Sequence, residues 1–204
     1  MSFFQNTCKP EGLGGKFMVH SMNVGHAAMA EWDFQHFTLP ESGPVLDIGC
    51  GGGANLKRLL EKVPSGKVMG VDYSEVSVEA SRKLNRAAID AGRCEVRQAN
   101  VMSLPFADGT FRAATAFETI YFWPDLGKAF KEVSRTLQTG GRFFICNESD
   151  GKNPKDEKWV KKIEGMRLYR ADQLRTLLEQ AGFTDIQIDE NEKHWLCVSA
   201  VKAG

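Results

Sequence analysis

The stretch Val45-Leu46-Asp47-Ile48-Gly49-Cys50-Gly51-Gly52-Gly53-Ala54 decides how this 204-residue chain folds. A short aliphatic run carrying an acid ends in a glycine-dense turn. Beyond the turn, Leu56, Leu59 and Leu60 recur at helical spacing. The order is therefore buried strand, tight turn, helix. Glycines let the main chain approach a ligand where a Cβ would collide with it. The helix that follows aims unpaired N–H groups into the same turn. The stretch reads as a cofactor cradle.

Upstream, Thr38-Leu39-Pro40-Glu41-Ser42-Gly43-Pro44 breaks a helical pattern that spans about Lys16 to Phe37. His20, Asn23 and His26 recur every three positions there and share one helix face. That face is either solvated or the lining of a lid over the cradle. Residues 1–38 are accordingly read as an N-terminal helical lid, with residues 1–15 poorly ordered, and residues 39–204 as the main domain. Downstream, Val68–Asp72 is a second strand ending in an acid, and Ser74 caps a helix running to about Asp90 with Val78, Leu84, Ala87 and Ala88 inward. Strands are expected near Cys94–Ala99 and Phe111–Phe117. The helix from Leu126 carries a stripe of Leu126, Ala129, Phe130, Val133 and Leu137, closed by Gly140-Gly141 ahead of a strand at Arg142–Asn147. A helix at Ala171–Ala181 follows, and Phe183–Asp189 with Trp195–Lys202 alternate as a hairpin.

Alternating strands and helices demand a mostly parallel sheet with right-handed crossovers and helices on both faces. The expected fold is α/β: a doubly wound, Rossmann-like, seven-stranded sheet with a C-terminal antiparallel hairpin. In such sheets ligands bind beyond the carboxyl ends of the strands, which gathers Asp47, Asp72, Asn100 and Glu118. Lys+Arg and Asp+Glu balance at 26 each, so no net charge recruits nucleic acid or an anionic membrane. No apolar run approaches the length of a membrane span, and Met1-Ser2-Phe3-Phe4 opens no signal peptide. The five cysteines are odd in number, far apart and form no CxxC pair, so no metal site is expected and a reducing cytoplasm fits.

Two cofactor readings compete. Gly49-x-Gly51-x-x-Ala54 with Asp72 twenty-three positions on (72 − 49) satisfies a dinucleotide fingerprint. Against it, Asp47 two positions before the first glycine would repel a pyrophosphate, and nothing resembles a second domain for a hydride acceptor. An acid beside the cradle suits a ligand that carries an ammonium group. VLDIGCGGGANLKRLL (45–60), VMGVDYS (68–74), QANVMSLPFADGTF (98–111) and LQTGGRFFI (137–145) together resemble the successive motifs of class I S-adenosylmethionine-dependent methyltransferases. The resemblance covers about residues 40–200, and the softer similarity is to the small-molecule, quinone-biosynthesis subgroup.

That resemblance implies S-adenosyl-L-methionine as cofactor. Gly49, Cys50, Gly51 and Gly53 would wrap its methionine part, and Asp47 would anchor its ammonium. Asp72 would take the ribose hydroxyls, Tyr73 would lie against the adenine, and Asn100 and Val101 would meet the adenine edge. Asn100 departs from the commoner Asp at its position. Phe117 and Glu118 would flank the methionine end or the acceptor. The implied reaction is in-line methyl transfer to a small molecule, with Glu118, Tyr121, His20 and His26 as candidate bases. Phe117–Trp123 offers aromatic faces for an apolar or cationic acceptor. The loop lacks the Asn/Asp-Pro-Pro-Tyr of enzymes acting on exocyclic amines of bases. A nucleotide-linked oxidoreductase, or a cofactor binder without turnover, are the alternatives, and the oligomeric state is open.

Overall fold

The structure is a computed structural model that describes residues 10, 12, 14 and 27–204. In chain order the elements are α1 (Ala27–Asp33), β1 (Val45–Ile48), α2 (Ala54–Lys62), β2 (Val68–Asp72), α3 (Glu75–Leu84), α4 (Arg86–Asp90) and β3 (Cys94–Gln98). They continue with β4 (Phe111–Phe117), α5 (Leu126–Thr136), β5 (Leu137–Asn147), α6 (Glu157–Lys162), α7 (Ala171–Gln180), β6 (Phe183–Glu190) and β7 (Leu196–Lys202). Short 3₁₀ turns occupy Ile120–Phe122 and Pro154–Asp156.

One sheet runs β3-β2-β1-β4-β5-β7-β6. β1 pairs in parallel with both β2 and β4, and β7 alone runs antiparallel to its neighbours, β5 and β6. This is the mostly parallel, seven-stranded sheet with a terminal hairpin expected from the sequence. The order places β1 at the centre, where its four residues are all buried. Period-2 alternation then sends Leu46 and Ile48 into one core with Phe130, Phe143 and Leu174, and Val45 into the other with Leu56, Leu59 and Phe144.

Three local expectations are corrected. The helix after β2 breaks at Asn85, whose buried amide donates to the carbonyls of Gly53 and Ser81, at 3.0 Å each. The break turns Leu84 outward, at 48% exposure, and Ala87 is exposed as well. Gly140-Gly141 does not stop α5: Asp125 caps that helix at its start, it ends at Thr136, and Leu137 already belongs to β5. Gly140, at φ 74°, instead lies in a bulge where the β4–β5 register shifts between Phe111 and Ala113. The face carrying His20, Asn23 and His26, and residues 1–9, lie outside the described residues, so the lid remains an expectation beyond α1.

Candidate active site

The chain runs outward from β1 through β2 to β3, then returns to place β4 on the other side of β1. Loops leaving β1 and β4 diverge at this reversal and open a crevice at the carboxyl ends of the strands. A cavity of about 560 Å³ lies there, in the size range of small-molecule sites. Asp47, Gly49, Cys50, Gly51, Asp72, Tyr73, Asn100, Val101, Phe117, Glu118 and Tyr121 all line it, so eleven positions singled out from sequence converge. Gly53 does not. A Cβ on it would meet Asn85 Nδ2 and Ser81 Oγ at 2.5 Å, so its bareness lets the turn dock on α3.

The other two glycines differ in kind. Gly49, at φ 75°, presses against the β4 exit loop: a Cβ there would fall 2.1 Å from Thr119 Oγ1. Gly51, at φ 52°, has nothing within 4 Å of its Cβ position. Its N–H donates to Asp72 Oδ2 at 2.9 Å, while the Ser74 N–H donates to Oδ1 at 2.9 Å. Asp72 is thereby fixed by the turn it faces. Asp47 is 1% exposed and accepts from Thr115 Oγ1 at 2.8 Å. Burial pushes its carboxyl up to about 7; the Thr115 hydroxyl opposes this and the neighbouring Asp72 charge adds to it. Asp72 is raised as well, chiefly by burial, with the Ser74 and Gly51 N–H groups pulling it back. The N-terminus of α2 has no capping side chain, and Ala54 and Asn55 of its first turn line the cavity. Two acids and a positive helix end thus share one turn.

The adenine-side expectations also fall on the cavity wall. Tyr73 is 40% exposed, Val101 is buried, and Asn100 Oδ1 accepts the Met102 N–H at 2.9 Å in a local Asx turn. The opposite wall is built around Glu118, which takes φ 57°, a conformation rare for a residue with a Cβ. Its Oε1 accepts from the Glu148 N–H and from Tyr121 OH, and Tyr121 Oη accepts the Ser149 N–H at 3.0 Å. Glu118 and Tyr121 therefore pin the segment after β5. Burial drives both well above their usual values; the Glu148 charge adds to the rise at Glu118 and the Glu118 charge to that at Tyr121. Phe122, Trp123, Trp159, Ile163 and Met166 complete this wall.

His20 and His26 lie outside the described residues. Several contributors were not foreseen. Thr115 on β4 and Thr119 beside Glu118 are uncharged and carry no motif signal, yet one donates to Asp47 and the other packs against Gly49. Pro10 accepts the Ser74 hydroxyl at 2.7 Å and lines the cavity, 64 positions from its partner. Trp159 on α6, and Ile163 and Met166 beyond it, also line the cavity. The fold also brings Cys146 and Cys197, 51 positions apart, together with Asp33 in a buried group of potential metal ligands. Burial pushes the Asp33 carboxyl up to about 8, with the Cys146 thiol offsetting little of that.

Residues 46–145 match the family described as "Methyltransferase domain". The O-methyltransferase resE of Aspergillus sclerotiorum is 27% identical over 150 residues, covering 72% of this chain and 56% of that protein. The demethylmenaquinone methyltransferase of Lactococcus lactis is 40% identical over 107 residues, 52% of this chain and 41% of that protein. Phosphoethanolamine N-methyltransferase 2 of Haemonchus contortus, solved in complex with S-adenosyl-L-methionine, superposes with a TM-score of 0.83 at 15% identity, over all of this chain and 61% of that one. The chain spans a little over half the length of curated relatives such as the first. Among the described residues no helix is long and apolar enough to cross a membrane.

Proposed function

The chain belongs to the S-adenosylmethionine-dependent methyltransferases, and on that premise we propose that it moves a methyl group to a nucleophilic atom of a small-molecule acceptor by in-line displacement. When bound, S-adenosylmethionine supplies a methyl group already activated on a sulfonium. The protein's task is then to hold, align and dry the reactants.

The observation that carries this reading is the placement of Asp47 and Asp72 near the ends of adjacent strands, beside a turn that is glycine at every position but Cys50. A dinucleotide would set Asp72 on its ribose but bring its pyrophosphate against Asp47. An amino acid joined to a nucleoside fits better: Asp47 takes an ammonium, the uncapped start of α2 takes a carboxylate, and Asp72 takes two ribose hydroxyls. Each Asp72 oxygen already accepts one N–H and keeps lone-pair capacity for a hydroxyl. Gly49, Cys50 and Gly51 form the floor, while Tyr73, Asn100 and Val101 border the base. Gly53 serves the packing of that floor. The same fit supports S-adenosylmethionine as the cofactor; the ligand of the Haemonchus enzyme supports it too.

On the acceptor side the wall is mainly aromatic and aliphatic. It favours an apolar or aromatic small molecule, in keeping with the quinone and O-methyl acceptor classes named for the relatives. Glu118 and Tyr121 are hydrogen-bonded to each other, and burial raises both above their usual values. Their role is to shape the wall and hold the segment after β5. The lid role of residues 1–38, including His20 and His26, belongs to the same proposal, with Pro10 touching Ser74 as its support. We place the protein in the cytoplasm, where Cys50, Cys94, Cys146 and Cys197 stay reduced.

Calorimetric titration with S-adenosylhomocysteine and with NAD tests the cofactor. Binding of the first alone is expected, and binding of NAD alone would sink the proposal. A labelled-methyl assay against a metabolite extract then identifies the acceptor, and absence of any labelled product despite cofactor binding would leave a binder without turnover.

A further inference from the structure

Away from the cavity described above, α1 ends on Asp33, whose side chain is fully enclosed. By distance and angle, neither carboxylate oxygen has a hydrogen-bond partner among the described residues. A buried carboxylate without a donor is costly in either protonation state. Its place at the C-terminus of a helix, the negative end of the dipole, adds to that cost. A cation held at this carboxylate would offset both costs.

The groups facing Asp33 are thiols. Cys146 of β5 and Cys197 of β7 are register partners across the antiparallel pair, and both are buried. Their sulfurs lie 3.8 Å apart, and the ligand atoms of all three residues lie within 4.8 Å of one another. A thiol–thiol contact would account for the sulfurs but leave Asp33 orphaned. A tetrahedral zinc with Zn–S of about 2.3 Å holds two thiolate sulfurs about 3.8 Å apart, the spacing seen here, and takes a carboxylate oxygen at about 2.0–2.2 Å.

We propose that Asp33, Cys146 and Cys197 form a buried site for a thiophilic divalent cation, Zn²⁺, that fastens α1 to the β5–β7 seam. Binding exchanges one Zn²⁺ for two thiol protons and the carboxyl proton, which leave to solvent. No redox step is involved. Phe117, Trp32, Phe34 and Phe37 pack around the cysteines. Phe117 also lines the methyl-transfer cavity, so the metal supports the site from behind without touching reactants. Its role is to hold structure.

The test uses the full 204-residue chain, reduced and stripped of metal, then loaded with Zn²⁺ or Co²⁺. About one equivalent per chain is expected, with a sulfur-to-cobalt charge-transfer absorption. That absorption is lost in a Cys146→Ser/Cys197→Ser double variant and kept in Cys94→Ser. Asp33→Asn, which keeps both sulfurs, should bind roughly 10–100-fold more weakly. Since the double variant can fail to fold, and both thiols are enclosed, the rate of alkylation of the wild type in denaturant just below its unfolding transition gives a second reading. Zn²⁺ should protect Cys146 and Cys197 and leave Cys94 unaffected. The proposal is overturned if cobalt gives no such absorption, if the absorption survives in the double variant, or if Zn²⁺ leaves the alkylation of both cysteines unchanged. None of these readouts depends on cofactor binding or turnover.

Discussion

Two loops leave the carboxyl ends of neighbouring parallel strands, and they are built on opposite plans. The loop after β1 is nearly all main chain: glycines at φ 75°, 52° and 82°, with the Gly51 N–H on Asp72 and the Gly49 and Cys50 N–H groups on the Val71 carbonyl. The loop after β4 is nearly all side chain, with Glu118 forced to φ 57° and held there by Tyr121 and the Glu148 N–H. A surface made of backbone fits one ligand shape and changes little when neighbouring side chains change. A surface made of side chains is re-cut by each substitution. Under the proposed function these are the cofactor end and the acceptor end of one cavity.

The contrast breaks most visibly at Gly49. Gly49→Ala adds left-handed strain of about 1–2 kcal/mol and drives a methyl into Thr119, so the two loops must part. Calorimetry should show loss of S-adenosylhomocysteine affinity of about 100-fold or more, with a lowered unfolding midpoint. Asp72→Asn comes next. It keeps an acceptor for only one of the Ser74 and Gly51 N–H groups and removes charge from the proposed ribose contact, for a loss of about 10–100-fold together with a smaller drop in the unfolding midpoint. Gly51→Ala is milder still, since only backbone strain opposes it, and about a tenfold loss is expected. Equal losses at Gly49 and Gly51 would show that Thr119 is not what fixes the turn.

The pH profile sharpens the same end of the cavity. Asp47 in the folded protein titrates at about 7, above its unfolded value of 3.8. A raised carboxyl pKa penalises folding by nothing below about pH 4, by a growing amount between about 4 and 7, and fully above 7. An ammonium partner needs the ionised form, so cofactor affinity should climb with pH up to about 7 and then level off. Asp47→Asn should flatten that climb, and an unchanged profile would remove Asp47 as the anchor. The smallest effect is expected on the other loop. Glu118→Gln keeps an acceptor for the Glu148 N–H and removes a poorly solvated acid, so cofactor affinity should move less than about threefold, while the acceptor KM shifts.

Backbone-made features were legible in the sequence because glycine and terminal acids state their purpose locally. Val45–Ala54, Val68–Asp72 and Phe111–Phe117 lie where the pattern puts them. The misreadings came where a distant partner overrules a local signal. Gly140-Gly141 looks like a helix stop until β4 supplies the ladder that makes it a bulge. Leu84 looks inward until Asn85 reaches Gly53 and breaks the helix. Gly53 reads as one more cradle glycine, since nothing in the turn announces Ser81 and Asn85 packed behind it. The wall opposite the glycine turn was the least legible part, because Trp159, Ile163 and Met166 join it from far along the chain.

The sheet order also imposes a sequence of events during folding. β6 pairs only with β7, and β7 reaches the sheet only by pairing with β5. As the chain is synthesised, residues 183–190 emerge with no neighbour to receive them, and the edge of β5 stays open until residues 196–202 slide between. Such non-local closure is slow compared with helix formation. A ribosome-stalled chain ending before Leu196 should therefore lack two strands, and its exposed β5 edge is where misassembly would begin.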